Sequence, residues 1–402
     1  MLHDPARHEP LLDIAWDERK ARDAIAYVVR RTEARFTPDA GWPMHPRDRD
    51  GRDDAPPAWP LYHGASGVIW ALTQLAARGA ATLARDYRNE VGALVLRNRE
   101  WLRSFGGAFD ASYVMGETGI LLLEHKLTGA RATADRLAAL IASNLDNPTR
   151  ELMWGSPGTM LAALFLHERT GEERFAALFR TTARRLWSQL EWSDEHACHY
   201  FTQDMYGQRS TYLDAVHGFV ATASPLIRGR HLLLPAEWSA WRDCIENTVR
   251  RTATRDGERA NWRVFLEVPL GRAPTLLMQF CHGAPGFVVC LAGMPGTTLD
   301  DLLVGGAEAT WEAGPLSKGP GLCHGTAGNG YAFLKLFVRT GDRRWLARAR
   351  AFAMHAIVQM EAMERHVGDL RHSLWTGDPG VALYLLDCIE GDARFPTLDV
   401  FD

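Results

Sequence analysis

One short frame recurs along the chain: a glycine, two residues, a second glycine, then an almost unbroken apolar run. It reads YHGASGVIWAL at 62–72, VMGETGILLLEHKL at 114–127 and MWGSPGTMLAALFL at 153–166. It returns as FCHGAPG at 280–286, LCHGTAG at 322–328 and WTGDPGVALYLL at 375–386. A degenerate seventh copy, VHGFVATASPLI at 216–227, keeps Gly218 but has Ala221 at the second position. First glycines lie between 39 and 65 residues apart. Self-similarity at such a period marks a repeat architecture. Taken singly, each glycine pair is most simply a packing device, because a crowded loop entering a helix needs a residue without Cβ. The information lies in what each copy adds.

Each repeat is helical. Runs as apolar as TMLAALFL read as helices buried on all sides. Three of them end alike, at Gly129, Gly171 and Gly341, which suit the left-handed stop of a helix. Charged amphipathic stretches follow at 130–145, 172–190 and 342–360 and read as outer helices. An open solenoid needs polar caps at both ends, yet the first and last units are as apolar as the middle ones. The expectation is therefore an all-α protein, a closed α/α toroid with seven inner and about seven outer helices and no extensive sheet. The shared core argues for one domain over 1–402, with 1–58 as an N-terminal outer helix (17–36) and a connecting arm. The Pro-, Asp- and Arg-rich stretch 37–60 is a candidate to lie over one mouth of the ring.

Net charge is only −4, which argues against nucleic acid as a partner. No apolar run reaches transmembrane length, and MLHDPARHEP has no apolar core of a signal peptide. The expected setting is the cytoplasm, without an integral membrane segment. There the six cysteines read as thiols or ligands, not disulfides. Cys244, Cys290 and Cys388 sit in apolar helical runs. Cys198 precedes His199 but lacks the glycine frame, so neither is read as a ligand.

Cys281 and Cys323 are different. In a toroid all inner helices begin at one mouth, and consecutive helices lie about 10 Å apart. Cys281, Cys323 and His324 can then share one ion. Two sulfurs and an imidazole suit Zn²⁺ with an open fourth position, and a thiol arriving there would be deprotonated. The other reading is that both Cys-His pairs are small buried residues of the repeat.

At these loops the chain resembles the LanC-like family, which comprises bacterial lanthionine synthetase cyclases and glutathione-binding relatives in animals. The resemblance runs from about Trp59 to Glu390, and CHGAPG and GLCHGTAG carry it. It implies a seven-fold toroid, Zn²⁺ on Cys281, Cys323 and His324, and addition of a thiol to dehydroalanine or dehydrobutyrine. It further implies that His217 is the acid that protonates Cα, and it matches Glu151 to an acidic residue of the cyclases; a plain loop carboxylate is the other reading of Glu151. Where nisin-type cyclases carry an Arg, four residues before the first Cys, this chain has Leu277. His282 follows that Cys, and Lys318 precedes the second Cys by five residues, both as in the glutathione-binding relatives. Lys318 is thus a candidate to hold a substrate carboxylate or the enolate, or else a solvated loop lysine. His63 and His282 also precede their glycines and either line the mouth or hydrogen-bond within the loops. The reading that follows is a zinc enzyme joining a thiol, glutathione first, to a dehydroamino acid in a peptide or protein. The alternatives are a cyclase forming thioether rings in a precursor peptide and a non-catalytic zinc- and thiol-binding scaffold.

Overall fold

The computed structural model describes residues 1–49, 51, 55–104, 111–269, 271 and 273–402. Part of the stretch 37–60 thus lies outside the described residues. Among the described residues there are fourteen α-helices and six short strands.

Every glycine frame opens an inner helix. Gly64, Gly116, Gly155, Gly218, Gly283, Gly325 and Gly377 are the N-caps of α2 (Ala65–Ala77), α4 (Glu117–Thr128), α6 (Ser156–Thr170), α8 (Phe219–Arg228), α10 (Ala284–Leu291), α12 (Thr326–Thr340) and α14 (Asp378–Glu390). Their apolar runs are buried on all faces; in α6 every residue from Ser156 to Leu166 is buried. The second glycine has a steric reason: a Cβ on Gly328 would drive into the carbonyl oxygen of Leu322, and one on Gly158 into that of Leu152. As expected, α4, α6 and α12 stop at left-handed glycines, Gly129, Gly171 and Gly341.

Between them run the outer helices α1 (Glu18–Arg35), α3 (Val91–Ser104), α5 (Arg131–Ser143), α7 (Glu173–Trp187), α9 (Pro235–Thr252), α11 (Asp300–Ala313) and α13 (Arg343–Val367). They are amphipathic: α7 buries Phe175, Phe179 and Leu186 and turns its arginines outward. Each inner helix packs on the next, and α14 packs on α2, which closes the ring. The outer partner of α14 is α1, so the N-terminal helix completes the last repeat. This is the seven-fold α/α toroid that the repeats predict.

The two widest spacings have a cause that the repeats do not reveal. Hairpins β1–β2 (Glu191–Ser193, Cys198–Tyr200) and β3–β4 (Gln203–Met205, Gln208–Ser210) fill the connection before Gly218. Hairpin β5–β6 (Ala253–Asp256, Arg259–Trp262) fills part of the connection before Gly283. Strands of three or four residues are too short to show period-two alternation. Cys198 lies buried in β2, where burial pushes its thiol up to about 11, the behaviour of a packed residue and not of a ligand. All six cysteines are free thiols. No helix among the described residues is long and apolar enough to cross a membrane.

Candidate metal centre and proton donor

The residue two places before each first glycine forms a belt around the mouth. Cys281 N donates to Cys323 O (3.0 Å), Cys323 N to Trp375 O (2.8 Å), Trp375 N to Tyr62 O (3.0 Å) and Tyr62 N to Val114 O (3.1 Å). Val114 N continues to Met153 O (3.3 Å), and Leu152 N reaches Val216 O (3.1 Å). Cys281 and Cys323 therefore sit side by side because their loops are adjacent members of this belt. At the first of them Gly283 has φ 118°, a conformation that strongly favours glycine.

The ligand atoms of Cys281, Cys323 and His324 all lie within 4.8 Å of one another. Both cysteines are buried and His324 is half-buried. Cys323 is held well below the usual thiol range, first by a hydrogen bond from the Cys281 thiol and then by the charge and hydrogen bond of His324 and a hydrogen bond from Tyr62; burial opposes this. Burial, then the hydrogen bond and charge of Cys323, pushes Cys281 well up. Gln279 Nε2 donates to Cys281 Sγ at 3.0 Å, an outer contact that orients the sulfur. Two converging sulfurs and one imidazole, supported in this way, fit Zn²⁺.

Beside the cluster is a cavity of about 440 Å³ lined by Asp48, Tyr62, His63, Lys318, His324 and Arg371 among others. Arg371 is buried and grips Asp48 through Nε (2.8 Å to Oδ2) and Nη2. Arg47 Nη1 donates to the carbonyl of Lys318 at 2.8 Å. The arm 37–60 does reach the mouth through these two residues. Lys318 is exposed at the rim. His63 is half-buried there, its ring 5.5 Å from that of Tyr62 and 5.3 Å from that of Trp101.

On the other side of the cluster stand two carboxylate–histidine pairs of the same build. Glu151, fully buried, accepts from Met153 N (2.9 Å) and Trp154 N (2.5 Å) of its own loop and from His217 Nδ1 (2.9 Å) of the next. Asp214, also fully buried, accepts from Val216 N (3.0 Å), His217 N (2.7 Å) and His282 Nδ1 (2.6 Å). In each pair the acid lies four residues before the glycine of one repeat, and the histidine lies one residue before the glycine of the next. Burial alone would lower the His217 pKa. The hydrogen bond and charge of Glu151, followed by the charges of Asp214 and Cys323, outweigh it and raise His217 above the ordinary imidazole value. With Nδ1 bound to Glu151, Nε2 is the nitrogen left for a reacting group. The His217 and His282 rings are 6.2 Å apart.

A family model described as "Lanthionine synthetase C-like protein" matches residues 55–400. The chain belongs to the lanthionine synthetase C-like family. Among solved structures, the nisin cyclase superposes with a TM-score of 0.57 over 92% of this chain and 93% of that one, at 16% identity, a likeness in fold. Over 141 residues the chain is 37% identical to the glutathione S-transferase LANCL1 of Danio rerio, covering 33% of each. Over 133 residues it is 31% identical to the LanC-like protein GCL1 of Arabidopsis thaliana, 31% of this chain and 30% of that one. The aligned stretch thus spans about a third of the length of these curated relatives.

In this LanC-like chain the structure gathers Cys281, Cys323 and His324 in one cluster, joins Glu151 to His217, and sets Lys318 and His63 on the cavity rim. His282 lies between the groups, turned to Asp214. Sequence reasoning missed Asp214, although it has the same offset from its glycine as Glu151 and was legible on that ground. It also missed Arg371 and Asp48. They lie outside the glycine frames and meet across 323 residues of sequence, and no motif marks them.

Proposed function

We propose that this LanC-like protein adds a thiol, glutathione in the first place, to dehydroalanine or dehydrobutyrine residues of peptides or proteins. The observation that carries the reading is the S₂N cluster of Cys281, Cys323 and His324 beside an acid-held histidine. Cys281, Cys323 and His324 would hold Zn²⁺, which, when bound, supplies Lewis acidity that ionises a thiol near neutral pH. Lys318, the exposed cation at the rim of the cavity, suits a carboxylate of glutathione, and Tyr62 and His63 line the same cavity. Attack at Cβ of the acceptor leaves negative charge on the acceptor carbonyl and Cα. His217, whose pKa Glu151 raises, gives its proton to Cα, and solvent restores it. The proton lost by the thiol balances the one gained at Cα, so no oxidant or reductant is needed. The zebrafish relative is a glutathione S-transferase by name, and Leu277, in place of the arginine of nisin-type cyclases, separates the chain from them at this loop. We place the activity in the cytoplasm, where reducing conditions keep Cys281 and Cys323 as thiols.

The test is incubation of the zinc-loaded protein with glutathione and a dehydroalanine peptide, with mass spectrometry of the product and Cys323→Ala as the control. The intact protein is expected to form the glutathione adduct well above the uncatalysed rate and the variant is not. An intact, zinc-loaded protein that leaves the rate at the background would sink the reading.

A further inference from the structure

Hairpin β3–β4 breaks a local rule. Its register leaves Tyr206 and Gly207 as a two-residue turn, with φ 54° and 71°. Both values are positive, the pattern of a type I′ turn, whose first position favours Asn, Asp or Gly. A tyrosine there is strained, and an observed outlier of this kind points to a use for the side chain. Burial is not that use, because Tyr206 is 65% exposed.

Its surroundings supply one. Trp154 Nε1 donates to the Tyr206 hydroxyl at 2.7 Å, and the two rings meet edge-on at 6.3 Å. The Tyr206 ring stands 6.3 Å from the ring of His217, also edge-on. The hairpin is held in place: Asp204 N donates to Pro148 O (3.0 Å), Arg150 Nη1 to Thr202 O (2.6 Å) and Tyr212 N to Gln203 Oε1 (2.8 Å). A strained aromatic on an anchored hairpin therefore overhangs the histidine that Glu151 holds. The cationic cavity belongs to the other side, on the loops of the sixth, seventh and first repeats.

We propose that Tyr206 and Trp154 are the binding wall for the acceptor, a peptide segment whose planar dehydroamino acid lies against the Tyr206 ring with Cα presented to His217. This rests on the thiol-addition reading, because protonation at Cα requires the acceptor to lie beside His217. A conjugated, flat unit packs well on an aromatic face. Tyr206 is exposed at the tip of its hairpin, which suits an acceptor carried on a peptide.

The experiment is calorimetric titration of the zinc-loaded full chain with a decapeptide carrying a central dehydroalanine, without thiol so that nothing turns over. Tyr206→Asn keeps a residue that the turn favours and removes the ring. Its expected affinity for the peptide is about tenfold weaker, with an undiminished melting temperature and unchanged glutathione affinity. Tyr206→Phe, which keeps the ring, is expected to bind within about threefold of the parent. The inference is overturned if the parent does not bind the peptide, if Tyr206→Asn binds it equally well, or if Tyr206→Phe is as weak as Tyr206→Asn. Adding glutathione afterwards separates the two claims: peptide binding that depends on Tyr206 without adduct formation leaves this wall standing and removes the proposed reaction.

Discussion

The loops 280–286 and 322–328 share the tripeptide Cys-His-Gly, and their histidines do different things. His324 joins the two sulfurs within 4.8 Å, whereas His282 turns to Asp214 at 2.6 Å. The cause lies one repeat back. Four residues before its glycine, the fourth repeat carries Asp214, which captures the histidine of the fifth. At the same place the fifth repeat carries Gln279, which donates to Cys281 Sγ and accepts from Arg7 Nη2 (3.2 Å). With no carboxylate at that place to capture it, His324 stays with the two sulfurs. Glu151 and His217 repeat the Asp214–His282 arrangement one unit earlier. The lesson is that a motif residue takes its role from its neighbour in the adjacent repeat, not from the motif.

The largest effect expected from that contrast is in metal content. Cys281→Ala, Cys323→Ala and His324→Ala should each lose stoichiometric zinc on dialysis, as counted by plasma mass spectrometry, while His282→Asn retains it. Equal loss in His282→Asn would erase the distinction between the loops.

Next comes His217, the histidine that Glu151 holds. His217→Asn should keep zinc and lose about 10²- to 10⁴-fold in turnover of a dehydroalanine peptide. A turnover within threefold of the parent would remove His217 from the chemistry.

A smaller effect is expected where the acid acts on folding. Asp214→Asn replaces a buried acceptor of three hydrogen bonds and should cost about 1–3 kcal/mol in denaturant unfolding. Zinc content should hold. A variant as stable as the parent would show that the pair is incidental.

The smallest change is one of pH. Glu151 raises the His217 pKa, and the working acid must be protonated, so turnover falls as pH climbs through that raised value. Glu151→Gln removes the charge and should move this alkaline limb to lower pH. The variant then loses most at alkaline pH and least at acidic pH. A limb that stays in place would mean that another group titrates.

Much of this was legible in the chain. A glycine that must pass a carbonyl, an apolar run with no polar face and a left-handed stop are requirements met within a dozen residues, so the pattern exposes them directly. From these came seven inner helices, the outer helices beside them and the mouth shared by both Cys-His loops; the resemblance added Glu151 and His217. The hairpins escaped because three-residue strands carry no period. Arg371 and Asp48 escaped because an ion pair across the ring leaves no local trace.

The sequence by itself determined the repeated frame, its closure into a ring and which residues face the mouth, since those follow from short-range sterics and apolar patterning. Only the tertiary structure decided the partnerships: His282 with Asp214, His324 with the sulfurs, Arg371 with Asp48, and Tyr206 over His217. These groups come from different repeats, and distance, burial and charge between them exist only once the ring has closed.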